Sequence, residues 1–182
     1  MYIDRIHIDW DKVSPDSYLT RIPAICLLQE LAFRRPVTFF VGENGTGKST
    51  LLEAIEYERE LGRPMYGDRT LHEQSHGESF LSFIRTFTRT GLFIMDEPEA
   101  ALSPQRQLSL FSRIAEMARE GSQYIIVTHS PILLAMPDAD IIGFDDSGIR
   151  YLDYEETESY RITEMMVNHR DLMVSQLLQE AE

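Results

Sequence analysis

The segment Gly42-Glu43-Asn44-Gly45-Thr46-Gly47-Lys48-Ser49 spaces three glycines, a lysine and a hydroxyl as a triphosphate would require. The glycines leave room for main-chain N–H groups to face anionic oxygens, and a helix starting near Lys48 would add the positive end of its dipole. Lys48 is placed to reach β- and γ-phosphates, the Ser49 hydroxyl to ligate Mg²⁺, and Thr50 to complete the cradle. Two further sites for chemistry lie downstream. In Asp96-Glu97 one carboxylate suits Mg²⁺ and the other suits orienting or deprotonating a water. In Thr128-His129-Ser130-Pro131 the imidazole is a candidate reader of a γ-phosphate. Each has a plainer reading: a glycine turn, a carboxylate pair capping the next helix, and a satisfied structural histidine.

The elements that must position these residues are also legible. The apolar run Val37–Val41 leads into the glycine segment and the helix-like run Ser49–Ile55 leads out, a strand–turn–helix context that turns the pattern into a site. Leu92–Met95 and Tyr124–Val127 read as buried strands ending in Asp96-Glu97 and Thr128-His129. Ligands of open α/β sheets sit at the C-terminal ends of the strands, so both pairs belong beside the glycine loop. Elsewhere, residues 1–8 alternate like a strand, Ile22–Ile25 reads as extended and Ile25–Leu31 as a short helical stretch. Helices are expected over 48–61, 77–89, 105–119 (stopped by Gly121) and 160–180, with a further strand at 141–144. Asp145–Gly148 reads as a hairpin turn into Ile149–Leu152. Buried strands alternating with helices predict an α/β layered domain with a mainly parallel central sheet.

With 182 residues and 43% apolar content the chain suits one buried core, hence a single domain over 1–182. Cys26 is the only cysteine, so no intrachain disulfide can form, and a reducing, cytoplasmic setting is expected. No apolar run approaches a membrane span, and no membrane partner is expected. The formal charge of −13 argues against a general nucleic-acid surface. Residues 145–182 form an acidic C-terminal segment, with ten acidic and three basic side chains, which reads as a solvated face.

In order, Gly42–Ser49, Ser75-His76-Gly77-Glu78, Leu92–Glu97, Ala101-Leu102-Ser103 and His129 resemble an ABC-type ATPase head, a group that includes transporter subunits and chromosome-maintenance and recombination-repair ATPases. More closely, FFVGENGTGKSTLLEAI, LHEQSHGESFL, DEPEAALSPQRQ and THSPILLA look like a small bacterial family of stand-alone AAA/ABC-type ATPases, from about residue 1 to about 160. The resemblance implies a three-layer P-loop NTPase that holds ATP between two copies. Ser75 and Gly77 of one copy would then cap the γ-phosphate bound by the other, and Ala101–Ser103 would let each site sense its twin. Without the resemblance, Gln74–Glu78 is a polar loop with a helix cap.

One departure stands out. Such heads carry a glutamine-bearing loop and a lateral helical lobe between the phosphate loop and the Ser-X-Gly segment, whereas only residues 50–74 separate them here. Either the lobe is reduced, with slow hydrolysis for want of a usual ligand, or residues near Ile55-Glu56 are missing, and that piece would order on binding. The expected function is Mg²⁺-dependent ATP binding and slow hydrolysis in a nucleotide-sandwiched homodimer. The alternative is an ATP-gated switch that assembles with a protein or nucleic-acid partner and turns over negligibly. A transporter subunit would need a membrane-docking surface, which such heads carry around the reduced region.

Overall fold

The computed structural model describes residues 1–60 and 90–179. Its central element is a five-stranded sheet ordered β4-β5-β3-β6-β7. The strands are β3 (Val37–Val41), β4 (Leu92–Asp96), β5 (Gln123–Val127), β6 (Asp140–Asp145) and β7 (Gly148–Leu152). The first four run parallel, and β7 returns antiparallel from the turn at Asp146-Ser147. A separate antiparallel pair joins β1 (Arg5–His7) to β2 (Glu30–Ala32). The mainly parallel α/β architecture is therefore as expected.

Strand β3 is buried along its whole length, because helices cover both faces of a parallel sheet. Its alternation sends Phe39 and Phe40 into different cores. Phe39 joins Tyr124, Ile126, Leu110 and Ile114 on the side of helix α3 (Pro104–Arg119) and the short helix α4 (Pro131–Leu134). Phe40 joins Ile125, Val127, Leu51, Leu52 and Ile55, the last three from helix α2 (Lys48–Glu60). That second core also takes in Ile25, Leu28 and Leu31 from the N-terminal region, giving three layers. Each such aromatic contributes about 1.5–3 kcal/mol through burial.

Gln123, fully buried at the first position of β5, ties the N-terminus to this frame. Its Oε1 accepts from the N–H groups of Tyr2 (2.7 Å) and Ile3 (2.9 Å), and its Nε2 donates to the Ile3 carbonyl (2.7 Å).

Two local expectations are corrected. The stretch read as extended at 22–25 is instead helix α1 (Pro23–Cys26), which follows a 3₁₀ turn over Tyr18–Arg21. Pro23 at its first turn lacks an N–H that the helix would leave unpaired anyway, so the proline starts the helix rather than excluding it. The residues read as a helical continuation to Leu31 turn instead into β2, where Leu31 pairs with Ile6. The helix expected over 160–180 divides into α5 (Glu158–Asn168) and α6 (Arg170–Gln179). The break falls at His169, whose φ of −132° and ψ of 39° are non-helical. The strand expected over 1–8 keeps only its centre. The helix expected at 77–89 lies outside the described residues, as does most of the short connection expected to replace a lateral lobe.

Candidate functional site

The glycine segment leaves the end of β3 and enters α2, as its flanks predict. Gly42, Gly45 and Gly47 all have positive φ, at 141°, 85° and 99°. Gly42 is doubly constrained, since a Cβ there would be driven into the carbonyl oxygen of Phe144 on β6. Gly47 packs its Cα face against Ile22 and Ile25, so the 3₁₀ turn and α1 support the loop from below. The Glu43 carbonyl accepts from the Thr46 hydroxyl (2.8 Å) and from the Lys48 ammonium (2.7 Å), and the Gly42 carbonyl accepts from the same ammonium (2.8 Å). Lys48 is only 4% exposed. The main-chain N–H groups of Gly45, Gly47, Lys48 and Ser49 have no acceptor among the described residues, and they stand where α2 begins. Free donors at a helix N-terminus are the arrangement that anions occupy.

Burial pushes the Lys48 ammonium below its ordinary lysine value, and the charges of Glu97 and Asp96 oppose that shift. Both carboxylates are therefore near enough for their charge to act on Lys48. Asp96 is the last residue of β4, opposite Val127 of β5 in the parallel register, and its side chain is exposed. Glu97 donates its N–H to the Val127 carbonyl (2.9 Å) and then departs from the strand with φ at 45°. Pro98 disfavours the right-handed helical region at the residue before it, and a positive φ in a non-glycine residue is uncommon.

His129 leaves the end of β5, next to β4. Its Nε2 lies 3.7 Å from Glu97 Oε1, and its main-chain N–H donates to Glu99 Oε1 (2.7 Å). Ser130 caps α4 by accepting the Leu133 N–H (3.2 Å), and its hydroxyl donates to Gln107 Oε1 (2.6 Å). Sequence reasoning placed Lys48, Glu97 and His129 together, and the structure gathers them at one sheet edge. Ser49 and Asp96 remain open there, while Ser75 and Gly77, with His76 and Glu78, lie outside the described residues.

A carboxylate, a hydroxyl and substrate phosphates suit Mg²⁺, a hard cation that keeps several waters and needs few protein ligands. Among the described residues there is no cluster of three or more His, Cys, Asp or Glu able to hold a metal unaided. A hydroxyl at the start of α2 and an exposed carboxylate at the end of β4 fit that requirement.

Sequence reasoning missed one wall. A cavity of about 440 Å³ opens beside Gly42, Glu43 and Thr46, closed on its other side by Asp146, Arg150 and the first turn of α5. The signal was present, because a strand paired beside β3 must end at the same edge as the loop.

A strand–glycine loop–helix unit inside a parallel sheet, with acidic and histidine residues at the ends of adjoining strands, defines a P-loop nucleotide-binding domain. Two family models match the chain. One, described as an AAA domain, covers residues 26–57; the other, described as an AAA domain, putative AbiEii toxin, Type IV TA system, covers residues 59–135. Both descriptions are of AAA domains, and the glycine loop lies within the first match. No curated protein gives a significant match. Among solved structures, an ATP-binding cassette of an ABC transporter in its ADP conformation is 17% identical, with a TM-score of 0.46, over 66% of this chain and 81% of that one. CbiO1 from Clostridium perfringens, part of the ABC transporter complex cbiONQ, is 18% identical, with a TM-score of 0.49, over 84% of this chain and 92% of that one. The fold assignment rests on the strand order and the loop.

Proposed function

We propose that this chain binds Mg·ATP and hydrolyses it slowly in a cytoplasmic homodimer that closes over the nucleotide. The observation that carries the reading is the convergence at one sheet edge of the buried Lys48, the exposed Glu97 and His129, with Glu97 Oε1 3.7 Å from His129 Nε2. In this reading the loop amides and Lys48 bind phosphate oxygens, and Ser49 with Asp96 holds the magnesium. Held by those two side chains, Mg²⁺ would supply positive charge against the negative charge that develops on the phosphate oxygens. Glu97, half exposed, is free to accept a proton from the attacking water. His129, on the neighbouring strand end, donates to a γ-phosphate oxygen.

Ser75 and Gly77 of the second copy would complete the site by capping the γ-phosphate in trans. Among the described residues no helix is long and apolar enough to cross a membrane. ATP turnover measured against protein concentration tests the shared site. A rate that rises more steeply than linearly supports it, and strictly linear dependence refutes closure between two copies.

A second reading, an ATP-gated assembly switch for a protein or nucleic-acid partner, is favoured by the short 50–74 connection, which offers no counterpart of the usual glutamine loop. Single-turnover hydrolysis with and without DNA separates it from the first. Negligible turnover under both conditions, with ATP still bound, favours the switch.

A further inference from the structure

We propose that Glu99 is a positioning residue that fixes His129 in register with Glu97, an inference that rests on the hydrolytic reading above. Glu99 follows the Glu97-Pro98 turn and faces the end of β5. One carboxylate oxygen, Oε1, accepts the main-chain N–H of His129 at 2.7 Å. The other, Oε2, is buried and has no hydrogen-bond partner among the described residues. A buried carboxylate oxygen left unpaired is destabilising, so packing alone would not favour glutamate here.

The geometry supplies a reason for it. Glu97 and Glu99 belong to one turn, and both reach the same strand end. The Glu97 N–H donates to the Val127 carbonyl at 2.9 Å, and the Glu99 carboxylate receives the His129 N–H two residues further on. The two bonds flank Thr128 and hold the turn bearing Glu97 against the turn bearing His129.

A third tie lies beyond them. Gln107, on the first turns of α3, accepts from the Ser130 hydroxyl at 2.6 Å and donates from Nε2 to the Leu102 carbonyl at 3.1 Å. Leu102 in turn donates its N–H to the Glu99 carbonyl at 2.8 Å. Residues 127, 129 and 130 are thus each bonded to the segment running from Glu97 to Gln107. His129 itself is exposed, and among the described residues its ring has only the 3.7 Å approach to Glu97, so its placement comes from its backbone. Without the Glu99 acceptor the peptide N–H of His129 is free to rotate, carrying the imidazole away from Glu97 and from a γ-phosphate.

The test is steady-state ATP turnover by the full chain carrying Glu99→Ala, Glu99→Gln, His129→Ala and the Glu99→Ala/His129→Ala pair, with a melting curve for each. Glu99→Ala is expected to lower kcat about 10- to 100-fold with KM for Mg·ATP within about twofold, the scale of a misplaced catalytic group. Glu99→Gln, whose amide oxygen still accepts the N–H, is expected to recover most of that loss. In the His129→Ala background, Glu99→Ala is expected to cost nothing further, since it acts through His129. Parent-like kcat for folded Glu99→Ala, or full additivity in the pair, overturns the proposal. If Glu99→Ala does not fold, a folded Glu99→Gln as inactive as His129→Ala overturns it as well. If the parent itself binds ATP without hydrolysing it, the hydrolytic reading fails and this proposal falls with it; a parent that hydrolyses ATP isolates the failure to Glu99.

Discussion

His129 Nε2 and Glu97 Oε1 lie 3.7 Å apart across the ends of two neighbouring parallel strands. Neither side chain is buried, and the residues are 32 positions apart in the chain. Adjacent strand ends bring them together, and the turn at Glu97, with φ at 45°, aims the carboxylate. In the proposed reading, the base and the phosphate-reading group thereby stand on adjoining strand ends.

Replacing Glu97 with glutamine keeps the side chain's shape and removes its ability to take a proton. Turnover is expected to fall about 100-fold or more, the lower range for loss of a general base, while ATP binding persists. Size-exclusion chromatography with Mg·ATP is expected to show a dimer that the parent forms only transiently. A variant that hydrolyses at the parent rate removes Glu97 from the role of base.

Lys48→Ala removes both the phosphate-reaching charge and the two bonds that order the carbonyls of Gly42 and Glu43. Charged hydrogen bonds of this kind are worth about 1.5–3 kcal/mol, so the Kd for ATP is expected to rise at least tenfold. Titration with a fluorescent ATP analogue reads this directly. Unchanged affinity would mean that the loop does not hold phosphate.

Gly42→Ala sets a methyl group against the Phe144 carbonyl oxygen at a backbone φ of 141°. Alanine at a positive φ costs more than about 1 kcal/mol before the clash is counted. The expected result is a lower melting temperature together with weakened nucleotide binding, because β6 and the loop must move apart. Gly45 offers a control: its φ is also positive, yet a Cβ there meets nothing within 4 Å. Gly45→Ala is therefore expected to destabilise less than Gly42→Ala, and thermal denaturation of the two ranks them.

Burial lowers the Lys48 pKa in the folded protein. Between that lowered value and the ordinary lysine value the unfolded chain binds more protons than the folded one. Stability contributed by this group therefore rises with pH through that window and levels off above it. Bound triphosphate favours the charged ammonium, so ATP binding at alkaline pH is expected to take up protons. Calorimetric titration in two buffers of different ionisation enthalpy measures that uptake, and Lys48→Met should abolish it.

The loop, its flanking strand and helix, and both polar strand ends were legible because each is a local pattern. Five consecutive buried residues in β3 and five in β5 read as continuous runs, and the glycines announce the turn between β3 and α2. Pro23 misled because a proline favours an extended chain before it and a helix start at it, and only the packing of Ile25 beneath Gly47 selects the second. The interruption at His169 was equally hidden. The weak helix formers Val167 and Asn168 precede it, but the non-helical backbone at that residue has no glycine or proline to mark it.

Sequence alone determined which chemistry is present: a triphosphate loop, a carboxylate pair and a histidine, each set by residue types a few positions apart. The three-dimensional arrangement decided what those groups can do to one another. The order β4-β5-β3 puts Glu97 and His129 in adjoining turns and the loop on the next strand, and strand order depends on long-range pairing that no local pattern encodes. The same holds for Glu99, whose bond to His129 spans 30 residues. Its side chain reads in sequence as one more surface acid, and its role follows from a neighbour that the chain brings back only on folding.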